Sequence, residues 1–345
     1  MNSLAGLRVV VTGATGNVGT SVVRALSEEP EVSTVLGLAR RCPQTSAPGV
    51  EWDTVDLARP GSQGVLEARL VNADAVIHLA WRFQPTHDPV ITWQTNVIGS
   101  MRVFDAVAKA GVPALVHASS VGAYSPGPKQ EPGVDEDWPT HGWPDAAYCR
   151  EKAYLERVLD TFELRHPQIR VVRMRPGFLF KQTAASEQRR IFAGRYVPGA
   201  LLRPDLLPFV PDLEGLRFQA LHTDDAAQAY RLAVLNDVRG PFNLAAAPVI
   251  EAKELGDLLG VQVVRIPRAV VRTALAAAWR IHAVPASPYL FDAVLRLPVL
   301  DCARAHDLLG WQPTRTAREA LESFLSGVRR GAGEETAPLT GKQWG

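Results

Sequence analysis

The sequence has few cysteines and almost no net charge. Its 345 residues include only Cys42, Cys149 and Cys302, and 37 basic side chains stand against 36 acidic ones. Scattered cysteines without a Cys-x-x-Cys pair argue against a disulfide framework and a structural zinc site, and they favour a reducing compartment. A formal charge of +1 disfavours nucleic acid as the main partner.

Long apolar runs are also lacking. Residues 1–6 show no charged start leading into an apolar stretch, and the most apolar later stretch, residues 269–284, is interrupted by Arg272 and Arg280. A membrane-spanning helix needs about 18 apolar residues or more in a row, so we expect a cytoplasmic protein with no membrane partner. Residues 269–284 instead predict an amphipathic helix over the substrate domain.

Metal-binding patterns are absent as well. None of the eight histidines belongs to a His-Glu-x-x-His motif or to a pair spaced by four residues, so we expect no metal centre. His78 and His117 fall within predicted strands, which favours packed core histidines with one hydrogen bond each.

What the first half of the chain does contain is an alternation of short apolar runs and helical segments. Runs rich in β-branched residues predict buried strands over 8–11, 32–38, 50–55, 75–79, 114–118 and 169–174. Helical periodicity predicts helices over 18–27, 90–110 and 145–162. The alternation predicts an α/β fold, a Rossmann-type doubly wound parallel sheet with a smaller, mostly helical C-terminal substrate domain.

A glycine-rich turn joins the first predicted strand to the first predicted helix. It has the spacing G-x-x-G-x-x-G, and the residues expected to bind a cofactor are Gly13, Thr15, Gly16, Asn17, Val18 and Gly19. Small residues let the backbone turn sharply and approach a pyrophosphate, while the helix N-terminus offers unpaired N–H groups. The turn therefore predicts a dinucleotide site, although a plain tight turn would use the same residues.

The end of the second strand bears on the choice between NAD and NADP. An acidic residue there would hydrogen-bond the ribose 2′-hydroxyl of NAD, but the strand continues into Arg40 and Arg41. Two guanidinium groups suit a 2′-phosphate, which favours NADP over NAD; a solvated basic loop is the alternative. After the third strand, Asp56 with Leu57 is expected at the adenine, or Asp56 simply starts a turn.

These patterns lead to a division of the chain into domains. Residues 1–175 are expected to form the NAD(P)-binding domain, with 216–245 returning to it. Residues 176–215 and 246–330 are expected to form the substrate domain. Residues 331–345, rich in Gly, Glu and Thr, are expected to be a flexible tail.

A tyrosine and a lysine lie four residues apart in a predicted helix. Tyr148 and Lys152 would share one helix face, and a nearby ammonium favours the phenolate, so the pair is expected to lower the tyrosine pKa and serve as a proton donor and acceptor. Upstream, Ser119 and Ser120 follow a strand at the sheet edge where ligands bind in open α/β folds. Trp81, after the fourth strand, is expected to line the substrate pocket or to pack in a loop.

Together these segments resemble the extended short-chain dehydrogenase/reductases, the NAD-dependent epimerase/dehydratase family. The resemblance covers roughly residues 7–325 and rests on the glycine turn and six further motifs in order: His78-Leu79-Ala80, Thr95-Asn96-Val97-x-Gly99, Ser119-Ser120-Val121-Gly122-Ala123-Tyr124, Tyr148-x-x-x-Lys152, Arg175-Pro176-Gly177 and His222-Thr223-Asp224-Asp225. No single motif is as specific as the ordered set.

The resemblance implies roles for particular residues. It implies that Ser120 is the catalytic hydroxyl, Tyr148 the acid/base, and Lys152 the residue that binds the nicotinamide ribose. It implies further that Asn96 supports the helix bearing the proton relay, and that Leu79, Ala80 and Pro176 contact the cofactor. Family members are often homodimers through the two long helices, here those over 90–110 and 145–162.

One departure concerns the substrate. Sugar-nucleotide epimerases of this family usually place an asparagine shortly after Arg-Pro-Gly, where it contacts the substrate's diphosphate, but Phe178 stands at that position. By the resemblance, Phe178 and Ser120 are expected to contact the substrate. Four arginines nearby, Arg189, Arg190, Arg195 and Arg203, keep a phosphate-bearing substrate open.

The combined prediction is an NAD(P)-dependent oxidoreductase that acts on a secondary alcohol or carbonyl of a small molecule. Two alternatives stay open, an epimerase or dehydratase that retains its cofactor and a non-catalytic nucleotide-binding protein.

Overall fold

The computed structural model describes residues 6–44, 46–192 and 208–340. Two of the arginines noted above, Arg195 and Arg203, lie outside these ranges, as do residues 341–345 of the predicted tail.

A parallel sheet of seven strands forms the centre of the molecule. Its strands are β1 (Leu7–Thr12), β2 (Val32–Ala39), β3 (Val50–Thr54), β4 (Ala75–His78), β5 (Ala114–Ala118), β6 (Arg170–Pro176) and β11 (Gly240–Leu244). They are ordered β11-β6-β5-β4-β1-β2-β3. The strand order reverses beside β1, at the β1–β4 boundary, and open α/β sheets bind ligands at the carboxyl ends of strands at such a switch point. The predicted fold class is confirmed, and β11 lies within the segment 216–245 that was expected to return to the first domain.

Helices cover both faces of this sheet. They are α1 (Asn17–Ser27), α2 (Ser62–Leu70), α3 (Pro89–Trp93), α4 (Gly99–Ala110), α5 (Ala147–Arg165) and α7 (Thr223–Leu235). Successive side chains of β1 point to opposite faces of the sheet. Val9 and Val11 pack with α1 and α7, whereas Val10 packs with residues of α2, α4 and α5.

The remaining elements lie mostly beyond β6. Three pairs of short strands are present, β7 (Phe178–Phe180) with β10 (Ala220–His222), β8 (Phe209–Asp212) with β13 (Gln262–Arg265), and β9 (Arg217–Phe218) with β12 (Ile250–Glu251). The helices are α6 (Ala185–Phe192), α8 (Ala252–Leu259), α9 (Arg268–Arg280), α10 (Pro288–Val294), α11 (Ala303–Leu309) and α12 (Ala317–Arg330). The amphipathic helix predicted over 269–284 corresponds to α9, which ends at Arg280 and has no fully buried residue. Within the described ranges, no helix combines the length and apolar character that crossing a bilayer requires.

Two segments differ from the sequence-based expectation. The helix predicted over 90–110 is divided into α3 and α4 by a π-helical turn, Gln94–Ile98, a feature that often marks functional sites. The tail expected to be flexible from residue 331 packs on the protein as far as residue 340, because Leu339 is fully buried and the Glu334 carboxylate accepts a hydrogen bond from Lys181 Nζ at 3.0 Å.

Candidate active site

The glycine turn forms a close-packed corner between β1, α1 and the end of β4. Gly13 has a φ of +70°, and a Cβ there would lie 2.6 Å from the Ala80 nitrogen. A Cβ on Gly19 would lie 2.2 Å from the Gly13 carbonyl oxygen. Gly16 caps α1 without any side-chain hydrogen bond, so the first N–H groups of the helix keep their donors for an anion. The corner therefore fits a dinucleotide pyrophosphate.

Other residues of the predicted turn have defined surroundings. Thr15 is buried, Val18 is partly buried against the core, and Asn17 Oδ1 accepts a hydrogen bond of 3.2 Å from the Thr223 hydroxyl. The last contact brings the His222-Thr223-Asp224-Asp225 segment to the first turn of α1.

The predicted adenosine end is open to solvent. Arg40 and Arg41 directly follow β2 and are exposed, and within the described ranges neither guanidinium forms an ion pair. Asp56 lies two residues after β3, where its Oδ1 accepts a hydrogen bond of 3.1 Å from the Ala58 N–H. This contact matches the alternative in which Asp56 starts a turn, while its second carboxylate oxygen remains near the surface, 3.5 Å from Arg59.

The ends of β4 and β6 flank the same edge of the sheet. Leu79 donates its N–H to the Thr12 carbonyl at 3.1 Å, which continues the β1–β4 pairing beyond the end of β4, and Ala80 is the residue against which Gly13 packs. Pro176 ends β6 beside Leu244 of β11.

Two neighbouring serines after β5 have different partners. Ser120 and Tyr148 lie side by side at Gly122, where an added Cβ would be 3.4 Å from Ser120 Oγ and 2.7 Å from Tyr148 Cε1. The Ser120 hydroxyl also accepts the Gly122 N–H at 3.0 Å. The Ser119 hydroxyl instead donates to the buried Glu156 carboxylate. The structure thus brings together Ser120 and Tyr148, the pair implied by the family resemblance.

Lys152 is buried one helical turn beyond Tyr148. Its ammonium donates to the Ala118 carbonyl at 2.6 Å and lies 3.5 Å from the centroid of the Trp81 ring. Burial lowers the pKa of Lys152 to about 7, while Glu151 and Glu156 oppose that change. A cation over an indole face gains electrostatic stabilisation from the ring. Trp81 is therefore a neighbour of Lys152 as well as a wall of the site.

The pKa of Tyr148 differs from the sequence-based expectation. The Tyr148–Lys152 spacing predicts a lowered pKa, but burial raises the pKa of Tyr148 above its ordinary value and the Ser120 hydrogen bond only partly opposes this. Burial is the largest cause, and the lysine ammonium lies 3.5 Å from the centroid of Trp81 but 6.0 Å from the centroid of the tyrosine ring. The phenol is consequently protonated near neutral pH.

Asn96 lies in the π-helical turn and connects it to α5. Its amide donates to Glu151 Oε2 at 2.7 Å and to the Arg82 carbonyl at 2.9 Å, and its oxygen accepts the Arg82 N–H at 2.7 Å. Thr92 donates to the other Glu151 oxygen at 2.6 Å. These bonds hold the start of α5 and the loop after β4 in fixed positions.

A buried ionic network below the serines was missed by sequence reasoning. Arg175 donates twice to the Glu156 carboxylate, at 3.0 and 2.8 Å, and Arg173 donates once at 3.0 Å. Burial alone would raise the pKa of Glu156, but hydrogen bonding and charge from Arg175 and Arg173 lower it to about 2. Glu156 follows Lys152 by four residues, so helical spacing was the available signal.

The two strand histidines are buried and uncharged near neutral pH. Burial and the charge of Lys152 lower the pKa of His78 to about 3. His78 hydrogen-bonds Thr12 at 2.6 Å and Ser100 at 2.7 Å, one more contact than predicted, whereas Nδ1 of His117 has no hydrogen-bond partner among the described residues. His78 and His117 are therefore packed core residues of β4 and β5. In the described part of the chain, no three His, Cys, Asp or Glu side chains cluster in a way that could hold a metal ion.

A cavity of about 270 Å³ opens beside Tyr148. Its aromatic lining comes from the loop after β4 and from the α9–α10 region, and we call these five residues the aromatic wall: Trp81, Phe83, His87, Trp279 and Tyr289. Only Trp81 was singled out from the sequence. The Phe83 ring stacks on Tyr148 at 5.1 Å and 12°, and the Trp81 ring meets it edge-on at 5.6 Å.

Phe178 lies away from this cavity. It belongs to β7 and meets Phe218 edge-on with ring centroids 5.2 Å apart. The gap that these rings share with Val121 measures only about 10 Å³. Arg217 borders this gap and pairs with Glu251 at 2.8 Å. Trp81 and Phe178, both predicted to contact the substrate, thus line two different cavities, the one beside Tyr148 and the small gap beside Phe218.

The family model described as the NAD dependent epimerase/dehydratase family matches residues 9–245. The chain belongs to this family.

Individual relatives are distant. A Mycobacterium tuberculosis H37Rv protein of unknown function is 26% identical over 341 residues, which cover 96% of this chain and 32% of that protein. The chain thus spans about a third of the length of that relative. The UDP-glucose 4-epimerase of Thermus thermophilus, solved with NAD, has a TM-score of 0.68 at 20% identity and covers 94% of this chain and 99% of its own. The dTDP-glucose 4,6-dehydratase of Streptomyces venezuelae, solved with NAD, has a TM-score of 0.70 at 19% identity, covering 97% and 100%.

Proposed function

We propose that the chain is an NAD(P)-dependent oxidoreductase that interconverts a secondary alcohol and a carbonyl, with Tyr148 as the acid/base. The observation that carries this proposal is the juxtaposition of the Tyr148 and Ser120 side chains, which meet at Gly122 at the carboxyl edge of the sheet. A nicotinamide dinucleotide held by the glycine corner would supply the hydride donor or acceptor.

The chain's own residues would then handle the substrate oxygen. Tyr148 is protonated near neutral pH and can give its proton to that oxygen during reduction. Ser120 donates a hydrogen bond to the same oxygen and orients it. Lys152, with its pKa lowered to about 7 by burial, supplies positive charge in the fraction of molecules that carry the ammonium. Cofactor-contacting roles are proposed for Lys152, Leu79, Ala80 and Pro176, and for Arg40 and Arg41 toward the 2′-phosphate of NADP.

The surroundings of Phe178 and Arg217 favour net oxidation or reduction of a weakly charged substrate. Phe178 stands in a nearly closed gap, and the Arg217 guanidinium already pairs with Glu251 at 2.8 Å. Neither group is arranged to receive a diphosphate. The second candidate is an epimerase or dehydratase that retains NAD, which is supported by the solved neighbours of those two classes that contain NAD.

The variant Tyr148→Phe tests the proposed function. Reduction of a panel of aldehydes and ketones should fall about 10²- to 10⁴-fold, because the phenol proton is lost, while NADH and NADPH affinity stay unchanged. Tyr154→Phe is the matched control, because Tyr154 is exposed on the same helix. Turnover of Tyr148→Phe equal to that of the parent would rule out the acid/base assignment.

Mass spectrometry of the nucleotide released from denatured protein separates the two candidates. One equivalent of NAD carried through purification would favour the epimerase or dehydratase. An emptied site that binds NADPH more tightly than NADH would favour the reductase.

We also propose a homodimer formed through the surface of α3, α4 and α5. Val90 and Tyr154 are exposed there with 64% and 43% of their surface accessible. Sedimentation velocity of the parent and of Val90→Asp measures whether the chain forms this homodimer.

A further inference from the structure

We infer that the cavity beside Tyr148 binds an uncharged compound with a flat ring, which carries the reacting carbonyl or alcohol. This inference rests on the proposed function, because it names the substrate class of that same site. It is argued from three properties of the cavity, its charge, the state of its polar groups and the shape of its walls.

The described residues of the lining carry no net formal charge. Arg82 and Arg150 are balanced by Asp145 and Glu151. The two arginines also have acceptors in the protein, since Arg82 Nε donates to the Gln84 carbonyl at 2.8 Å and Arg150 donates to the Pro144 carbonyl at 2.7 Å. Each of these bonds uses one of five guanidinium N–H donors, so it is the carboxylates of Asp145 and Glu151 that offset the positive charge a diphosphate would need.

Polar groups of the lining are mostly paired with one another. Gln84 donates to the Ile191 carbonyl at 2.8 Å, Thr86 donates to the Pro285 carbonyl at 2.6 Å, and the Trp279 indole donates to Thr86 at 2.9 Å. Pairing satisfies these groups before any ligand enters, so a strongly polar ligand would gain little in exchange for its own dehydration.

The exception is the indole nitrogen of Trp81. Trp81 Nε1 is buried and has no hydrogen-bond partner among the described residues. The Trp81 ring is edge-on to Tyr148 at 5.6 Å, so the two rings are neighbours in the lining of the cavity.

The walls suit a planar ring. His87 stacks on Trp279 at 4.2 Å and 8°, and Tyr289 meets Trp279 edge-on at 6.2 Å, so the far side of the cavity is built of packed aromatic rings. Aromatic rings pair favourably in stacked and edge-on arrangements. A cavity of about 150 Å³ is known to accept benzene, so the 270 Å³ found here has room for one or two fused rings.

Calorimetric titration with 2-acetylnaphthalene, a neutral bicyclic ketone, tests this inference on the full chain with and without NADPH. We expect saturable binding that equal concentrations of UDP-glucose do not displace. Trp279→Ala removes a wall and Ala286→Trp fills the cavity, and each should weaken binding at least about tenfold. Tyr154→Ala, outside the cavity, should change binding less than about twofold, and unchanged NADPH affinity shows that each variant is folded.

Failure of the inference differs from failure of the proposed function. No binding of the ketone, binding that both cavity variants leave intact, or displacement by UDP-glucose would overturn the inference. Ketone that binds in the cavity and is not reduced with NADH or NADPH would leave the ligand class standing and count against the oxidoreductase. Reduction that survives both cavity variants would support the oxidoreductase and overturn the cavity as its substrate site.

Discussion

The two sides of the site are built differently. The sheet side consists of the ends of β1, β4 and β5 with the starts of α1 and α5, and here backbone packs against backbone, as where Gly13 meets Ala80. The aromatic wall is made of side chains carried by the loop after β4 and by the α9–α10 region, and α9 has no fully buried residue. The sheet side therefore has little freedom to change, whereas the wall can accept new side chains.

This difference separates chemistry from ligand choice. Proton-handling groups such as Tyr148 and Ser120 need positions fixed within a fraction of an ångström, and a close-packed sheet edge supplies them. A wall of partly exposed side chains can change its ligand without moving those groups. Fold-level similarity thus speaks to the reaction type and not to the substrate.

Gly19→Ala should give the largest effect, because it tests the rigidity of the sheet side. The added Cβ would lie 2.2 Å from the Gly13 carbonyl oxygen, which forces α1 away from the turn. NADH and NADPH affinity should fall about hundredfold, since displacements of about 1 Å at binding groups have effects of that size. Isothermal titration measures this loss.

Gly64→Ala is its control. Gly64 lies inside α2 with no atom within 4 Å of an added Cβ, so the change should raise the free energy of unfolding by roughly 0.5–1 kcal/mol and leave cofactor binding intact. Parent-like affinity in Gly19→Ala would show that the corner is not close-packed around a cofactor.

Glu156→Gln tests the ionic support under the sheet side. Removing this carboxylate leaves Arg173 and Arg175 buried without their shared partner, which should lower the free energy of unfolding at pH 7 by about 3–5 kcal/mol. Glu163→Gln is the matched control, because Glu163 also pairs with Arg173 but is 33% exposed and should cost no more than about 1 kcal/mol. Urea denaturation measures both.

The same variant has a defined pH dependence. The pKa of Glu156 is lowered to about 2 in the folded protein, below its value of about 4.3 in the unfolded chain. Its contribution to the free energy of unfolding is therefore complete above a pH of about 4.3 and is lost as the pH falls through about 2. The stability difference between parent and Glu156→Gln should shrink over that interval. A difference that stays constant down to pH 2 would contradict the ionised network.

The sequence predicted the sheet side better than the aromatic wall. The glycine turn, the strands and the Tyr148–Lys152 spacing are local patterns, and the fold and family they indicated are confirmed. His87 and Trp279 are 192 residues apart, and no periodicity connects them. The raised pKa of Tyr148 was also out of reach, since it depends on burial and on where the Lys152 ammonium lies in space. Site roles and the NADP preference remain predictions.

Replacing both Arg40 and Arg41 by Ala tests the choice between NADPH and NADH at the exposed end of the sheet side. If the two guanidinium groups bind a 2′-phosphate, NADPH affinity should fall about 10- to 100-fold because charge-assisted hydrogen bonds contribute about 1.5–3 kcal/mol. NADH affinity should not change. Arg330→Ala, exposed at the end of α12, is the control for net charge. Equal NADPH affinity in the double variant and the parent would refute the phosphate contact.

Trp81→Ala tests the one residue that belongs to both sides. Burial lowers the pKa of Lys152 to about 7, so the ammonium fraction falls as pH rises through that value, and carbonyl reduction should decline there. Opening the indole contact hydrates the ammonium, which raises its pKa, while the lost cation–π contact of 3.5 Å acts in the opposite direction. We expect the gain in hydration to outweigh the lost contact, so the decline in the pH–rate profile should move upward by about one unit, or about 1.4 kcal/mol. A downward movement would mean that Trp81 stabilises the charge of Lys152 more than it dehydrates it, and would make this wall residue part of the proton-handling side.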